Sequence, residues 1–226
     1  MSARVRGFGW VSATGAGRGR DGQLSLPEGT ALLPPGRRVA FSKPYLRYGR
    51  LDDFSKLGLS TIALALQDAG VAEFDQKRPV GLYAASRYGC SVTDRAYFQT
   101  LLDDGGSLAS PNLFAYTLAN CFLGEAAIRF GLSGPAQVLN EAGSRSLAAL
   151  RWALADLASG SCPMALAGYC DLPPEEPQQG FSLFLLLAPS GDGPLLEMHD
   201  DGPALAGRRL TSWLALLELL PQLKDS

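Results

Sequence analysis

Apolar and polar positions alternate along Val5 to Val11 (VRGFGWV), which predicts an opening strand. The period then changes. Over Leu57 to Ala69, the residues Leu59, Ile62, Ala63 and Leu66 recur at helical spacing, and Gly70 supplies a C-terminal stop. Pro79 to Ala85 (PVGLYAA) is a β-rich run, so strand, helix and strand follow at the spacing of a right-handed parallel crossover. Ser91 to Asp104 predicts a polar helix ending at Gly105-Gly106. After the turn signal Gly134-Pro135, Gln137-Val138-Leu139 reads as a short strand and Asn140 to Gly143 as a sharp turn. Leu147, Leu150, Leu154 and Leu157 then mark a helix, with a second stripe of Ala148, Trp152 and Ala155 on another face. A helix apolar over so much of its circumference is expected to be buried on several sides. Met164 to Ala167 and Gly180 to Ala188 (GFSLFLLLA) are unbroken apolar runs of the kind found in buried strands. Leu210 to Leu220 closes the pattern. There Trp213, Leu214, Leu216, Leu217 and Leu220 form a wide apolar helical face ended by Pro221. Strands alternating with helices define an α/β class.

Composition narrows the function more than the fold. The chain of 226 residues fits one ordinary domain with a substantial core, and 46% hydrophobic against 19% charged residues describes a globular protein. A net charge of −2 with scattered basic residues argues against nucleic acid as a partner. Cys90, Cys121, Cys162 and Cys170 show no Cys-x-x-Cys spacing, so they predict no metal site and no redox pair, but reduced thiols of a cytoplasmic protein. The N-terminus lacks a signal-peptide core. The longest apolar stretches, Phe181–Pro189 and Leu210–Leu220, fall short of the ~20 residues that span a bilayer, so no membrane partner is expected. No cofactor is expected either. Gly7-x-Gly9 is followed by Ser12 where a dinucleotide fingerprint has its third glycine, and no Gly-Lys-Ser/Thr occurs.

Chemistry is expected at the strand–turn–helix around residues 137–157. Such an elbow often carries a nucleophile in α/β enzymes, because the helix N-terminus favours negative charge. Here the turn offers Gly143 and no thiol. The stretch resembles the nucleophile segment of β-ketoacyl synthases, the thiolase-fold condensing enzymes of fatty acid and polyketide assembly. In that family a Gly-Pro turn and a strand lead to Thr-Ala-Cys-Ser-Ser or a near variant, then to a Leu/Ala-rich helix. The counterparts here are Gly134-Pro135, Glu141-Ala142-Gly143-Ser144-Arg145-Ser146, Ala158-Ser159-Gly160-Ser161-Cys162 and Met164-Ala165-Leu166-Ala167-Gly168. The frame fits without a gap and puts Gly143 at the position of the reactive cysteine. Further matches are Phe54-Ser55-Lys56-Leu57, Ser110-Pro111, Asn120, Phe130-Gly131-Leu132, and Gln179-Gly180 in place of the family's Glu-Gly. The resemblance covers roughly residues 4–190.

The resemblance implies a thiolase-like half: one mixed, mostly parallel five-stranded sheet with helices on both faces. Residues 1–190 would form it, with 191–226 a linker and a C-terminal helix covering the face that a second half takes in complete family members. The proline-bearing surface loop Leu24 to Arg50 would contact a partner subunit or carrier protein. Leu113, Phe114, Tyr116 and Thr117 would reach into a partner's acyl tunnel, although Leu113 and Phe114 also suit the core of a helix start. Gln137, Val138, Leu139 and Asn140 would form the dimer-edge strand. Family catalysis needs two histidines and a lysine from the second half, and this sequence holds one histidine, His199, in an expected surface loop. The expected role is therefore non-catalytic, that of a chain-length factor paired with a full-length active ketosynthase and its acyl carrier protein. Known chain-length factors are full-length and commonly carry Gln at the cysteine position. A half-length form is similar to small ketosynthase-like proteins of aryl-polyene-type systems. Two other classes stay open: an enzyme using Ser144 or Cys90 with His199 as base, and a homodimeric carrier-binding module.

Overall fold

The computed structural model describes residues 1–19, 32–141, 146–174 and 180–223. The opening strand, β1 (Ser2–Ser12), turns back through β2 (Gly15–Arg18), and the loop beyond carries the short helix α1 (Arg37–Ala40). Helix α2 (Asp53–Asp68) follows. Asp52 caps it by accepting from Ser55 N at 3.0 Å, and also accepts from the hydroxyl of Thr93. Next come β3 (Val80–Ser86), α3 (Ser91–Leu102), α4 (Pro111–Phe114), α5 (Cys121–Phe130), β4 (Ala136–Asn140) and α6 (Ala148–Ser159). The chain continues through β5 (Met164–Asp171), β6 (Phe181–Ala188), β7 (Leu195–His199), β8 (Gly202–Leu205), β9 (Arg208–Arg209) and α7 (Trp213–Leu219).

All described strands share one sheet in the order β4-β3-β5-β6-β1-β7-β8-β9, with β2 also paired to β1. Strands β4, β3 and β5 are mutually parallel, and β6 runs antiparallel between β5 and β1. β1 and β3 therefore point the same way, as the strand–helix–strand pattern predicts, but β6 and β5 lie between them. The five-stranded core is as expected; the sheet is larger. It has nine strands, and beyond β4-β3-β5 every pairing is antiparallel. The cause is the length of β1. One of its edges is taken by β6, and the other is shared between β2 at Gly9 to Ser12 and β7 at Ser2 to Arg4. The stretch after residue 190 is thus not a linker. Leu196 and Leu205 are fully buried, and β7–β9 form a meander on the same sheet. His199 ends β7 in this hairpin, paired in register with Gly202, rather than lying in a free loop.

Strands β3, β5 and β6 are buried almost throughout, so both faces of the sheet need cover. Leu82, Leu166, Phe184 and Leu186 face one core, filled by Leu57, Leu59, Ile62 and Leu66 of α2 and Phe122 and Phe130 of α5. Tyr83, Ala167, Leu183 and Leu185 face the other, filled by Leu150, Ala153, Leu154 and Leu157 of α6 and Trp213, Leu216 and Leu217 of α7. Successive strand residues divide between the two cores, as the pleat requires. The Gly7-x-Gly9 pair now has a reason. A Cβ at Gly7 would lie 2.5 Å from Ala69 N, and one at Gly9 the same distance from Ala65 N. The glycines let α2 lie flat on β1.

Helix α6 keeps its predicted leucine face but not a fully buried circumference: Trp152 is 47% exposed. α7 does not cover Trp152. It packs on the sheet, where Trp213 stacks on Tyr169 at 6.3 Å between ring centroids. Trp213→Ala should therefore cost about 3–5 kcal/mol in urea unfolding. Trp152→Ala should change stability by no more than about 0.5 kcal/mol. Equal effects of the two substitutions would contradict this assignment.

Candidate functional site

Strands β3, β4 and β5 are parallel, and their carboxyl ends bring together Ser86, Glu141 and Asp171, the kind of place where α/β sheets hold ligands. Asp171 is buried. Its Oδ1 accepts from Ser86 Oγ and Tyr88 N, each at 2.9 Å, and its Oδ2 accepts from the Tyr169 hydroxyl at 2.9 Å. Gly89 N in turn donates to Ser86 Oγ at 2.8 Å. Glu141, also buried, donates its N–H to Ser86 O at 2.9 Å. Its Oε1 accepts from Ala148 N at 2.7 Å.

That last bond fixes the electrostatics of the elbow. Ala148 opens α6, and Leu147 before it takes a left-handed conformation with φ 53°. The positive end of a helix here receives a carboxylate from its own chain. Burial raises the pKa of Glu141, and the hydrogen bond from Ala148 only partly opposes it. Trp213 Nε1 approaches the carboxylate from α7, although neither it nor Glu141 Oε2 closes a hydrogen bond by distance and angle. Burial, then the charge of Asp171, holds the Tyr169 phenol well above its usual value. Gly143 and Ser144, where the family's nucleophile segment maps, lie outside the described residues, as does Gln179.

Cys90 sits buried at the N-cap of α3, with Sγ 3.5 Å from Asp94 Oδ2. Burial and then the Asp94 carboxylate push its thiol up to about 12, so it stays protonated at neutral pH, the opposite of an activated cysteine. His199 is half exposed, with Nε2 3.9 Å from Glu197 Oε2. Among the described residues no cluster of three His, Cys, Asp or Glu side chains could hold a metal, and no helix is long and apolar enough to cross a membrane.

The four expected tunnel residues surround one short helix but do not face one way. Ser110 caps α4 by accepting from Leu113 N at 3.3 Å, and Pro111 sits at its first turn. Leu113 and Thr117 are half-buried, and Tyr116 turns inward against the α2 core. Phe114 is 61% exposed, which sets aside a core role for it. Its ring rests on Tyr97 at 5.4 Å. Thr100 joins the two helices, donating to Tyr97 O at 2.7 Å and accepting from Ser110 N at 3.1 Å. Phe98, Leu102, Leu108 and Leu118 are exposed nearby in sequence. Of the predicted edge strand, Gln137 and Asn140 are exposed and Val138 and Leu139 half-buried; among the described residues β4 pairs only with β3, which leaves its other side open.

Tyr97 and the Glu141 cap escaped the sequence reading, because neither belongs to a local pattern. So did buried Glu125, which accepts from the Tyr45 hydroxyl at 2.6 Å and from Arg47 at 2.5 Å and ties the basic loop to α5.

A mixed sheet between helical layers, with a strand–elbow–helix at its carboxyl edge, defines a thiolase-like fold. The sequence profile of the β-ketoacyl synthase N-terminal domain matches residues 38–206, well over half of the chain, and the chain belongs to that family. The ishigamide ketosynthase/chain length factor aligns with a TM-score of 0.64 and 17% identity, over 83% of this chain and 58% of that one. The AntDE:AntF structure, a type II acyl-carrier protein in complex with its ketosynthase, gives 0.62 and 18% over 83% and 63%. The ketosynthase ApeO in complex with its chain length factor ApeC, from Xenorhabdus doucetiae, gives 0.58 and 15% over 86% of this chain and 81% of the matched one. A 45-residue segment is 53% identical to the type I polyketide synthase Pks15/1 of Mycobacterium marinum, 20% of this chain and 2% of that protein. The chain thus spans less than two thirds of the first two of these structures and a small fraction of the synthase.

Glu141 yields a prediction with a definite sign. Its folded pKa lies above the unfolded value of 4.5, so its contribution to stability is complete below pH 4.5 and is lost as pH rises through the folded value. Glu141→Gln should match the wild type below pH 4.5 and exceed it at neutral pH. Urea melts across that range measure it, and a gap that does not change with pH would contradict burial as the cause.

Proposed function

We infer that this chain is a non-catalytic, chain-length-factor-like subunit. On this reading it pairs through β4 with an active β-ketoacyl-acyl carrier protein synthase and shapes the acyl tunnel of that partner. The observation that carries the inference is the contrast between the two ends of the sheet. β4 presents Ala136-Gln137-Val138-Leu139-Asn140, five uncharged residues whose outer side is unpaired among the described residues. The opposite end is blunted by β9, only Arg208 and Arg209, both exposed. Natural sheets protect free edges with charge and brevity, as β9 does, so a long uncharged edge marks a strand awaiting a partner. Exposed Phe98, Leu102, Leu108 and Phe114 add an apolar surface of the kind that interfaces bury.

Three further points support the reading. The sequence has Gly143 where the family's cysteine stands, and losing a nucleophile costs many orders of magnitude in rate. Chain length factors are named in two of the structural relatives, and in one of these complexes the matched chain is covered over 81% of its length. Between Glu28 and Asp52 the chain has no acidic residue and carries Arg37, Arg38, Lys43, Arg47 and Arg50, a surface complementary to an acidic carrier protein.

Co-expression with a full-length ketosynthase, followed by size measurement, should give a heterodimer or a heterotetramer. Gln137→Lys combined with Asn140→Lys should weaken that complex at least tenfold. Phe114→Ala should lengthen or broaden the product distribution of the pair. A chain that elutes only with itself points to the homodimeric alternative, and an unchanged product profile removes the tunnel role.

A further inference from the structure

On the α2 side of the sheet, away from β4, lies an open cavity of about 580 Å³. Its walls come from β2, the α1 loop, α2 and the last turn of α5, with Ala40, Phe41, Leu64 and Phe130 as apolar lining and Arg18, Arg38 and Arg129 as cations. Arg129 is the unusual member. Its guanidinium carbon lies 5.4–5.8 Å from the ring centroids of Phe41, Tyr45 and Phe130. Its Nε is fully shielded from solvent with no hydrogen-bond acceptor, and no ion pair holds it among the described residues. Aromatic faces stabilise such a cation but offer its N–H groups no acceptor.

The charge balance around it points one way. Glu73 is the one acidic residue lining the cavity among the described residues, and it is bonded to Lys43 at 2.9 Å on the surface. The carbonyl ends of α2 and α5 open nearby, at Gly70 and Phe130. Each helix end carries roughly half a negative unit, so the two together answer about one cation. Arg18 bonds Gln67 at 3.0 Å, which occupies its donors without cancelling its charge, so it only adds to the positive side of the sum. Arg38 and Arg129 still leave positive charge in excess by about one unit.

We propose that this cavity binds a small organic phosphate ester, its phosphate held by the Arg129 fork and Arg38 and its organic part lying on Leu64, Ala40 and Phe130. The two terminal nitrogens of a planar guanidinium offer parallel N–H donors to a tetrahedral oxyanion, and these, unlike the shielded Nε, are open to a ligand. The volume lies within the range of small-molecule sites and exceeds what phosphate alone fills. This site is independent of the β4 edge and of any role in chain elongation.

Titration calorimetry with phenyl phosphate tests it on the full chain, with inorganic phosphate and phenol as the two halves of the probe. The expected result is saturable binding at one site, weaker binding of inorganic phosphate, and none of phenol. Arg129→Leu should weaken phenyl phosphate at least tenfold and Arg129→Lys by less, with the circular dichroism spectrum unchanged. Should Arg129→Leu fail to fold, Arg38→Ala, which changes an exposed residue, should still weaken binding severalfold. The proposal is overturned by an absence of saturable heat, by phenol binding as well as its phosphate, or by substituted chains that bind like the wild type.

Discussion

A sheet whose central strands are apolar on both faces has to be covered twice, and the rest of this molecule follows from that requirement. β3, β5 and β6 bury nearly every side chain. Apolar surface left in water costs about 25 cal/mol per Å², so neither face can stay bare. Helices α2 and α5 answer on one side, and the fit is close enough that Gly7, Gly9 and Gly58 each give up a side chain to permit it. On the other side α6 covers one part of the face and α7 another. The fully buried Trp213 therefore completes the second core and is no ornament of the C-terminal region.

The same double cover shapes the electrostatics where the parallel strands end. Glu141, Asp171 and Tyr169 are all buried there, and the donors that reach them are neutral: backbone N–H groups and hydroxyls. Burial in such surroundings favours the uncharged form, and it raises the pKa of Glu141 and of Tyr169 alike. The N-terminus of α6 is taken up by a carboxylate of the chain itself.

Much of the fold was legible because its signals are local. The apolar runs of β5 and β6, the helical period of α2 and the stop at Gly70 all survive in the structure within a few residues. The β7–β9 meander was not legible. Leu195 to Arg209 is broken by short polar turns, and its strand character depends on β1 extending past β6. Trp152 shows a different limit. Periodicity marks a residue as apolar and on a given face, but it does not distinguish a face that meets the core from one that meets solvent or a partner. Of the candidate site, Phe114 and the β4 edge could be placed by motif order. Glu141 as a helix cap and Tyr97 as the support of Phe114 needed contacts between elements distant in sequence.

The asymmetry of the two sheet ends also bears on what kind of assembly is possible. Had both ends been open, β4 of one copy could pair with the far edge of the next, and the repeated contact would build a fibre. β9 is two arginines long and offers too little backbone and too much charge for that pairing. The open side of β4 suits another β4-like strand, in this chain or in a related one. Such a contact closes on itself, because both partners use the same edge. The proposed pairing with a homologous ketosynthase and the homodimeric alternative share this geometry. What separates them is the side-chain complementarity of the exposed residues around α3 and α4, not the strand that joins them.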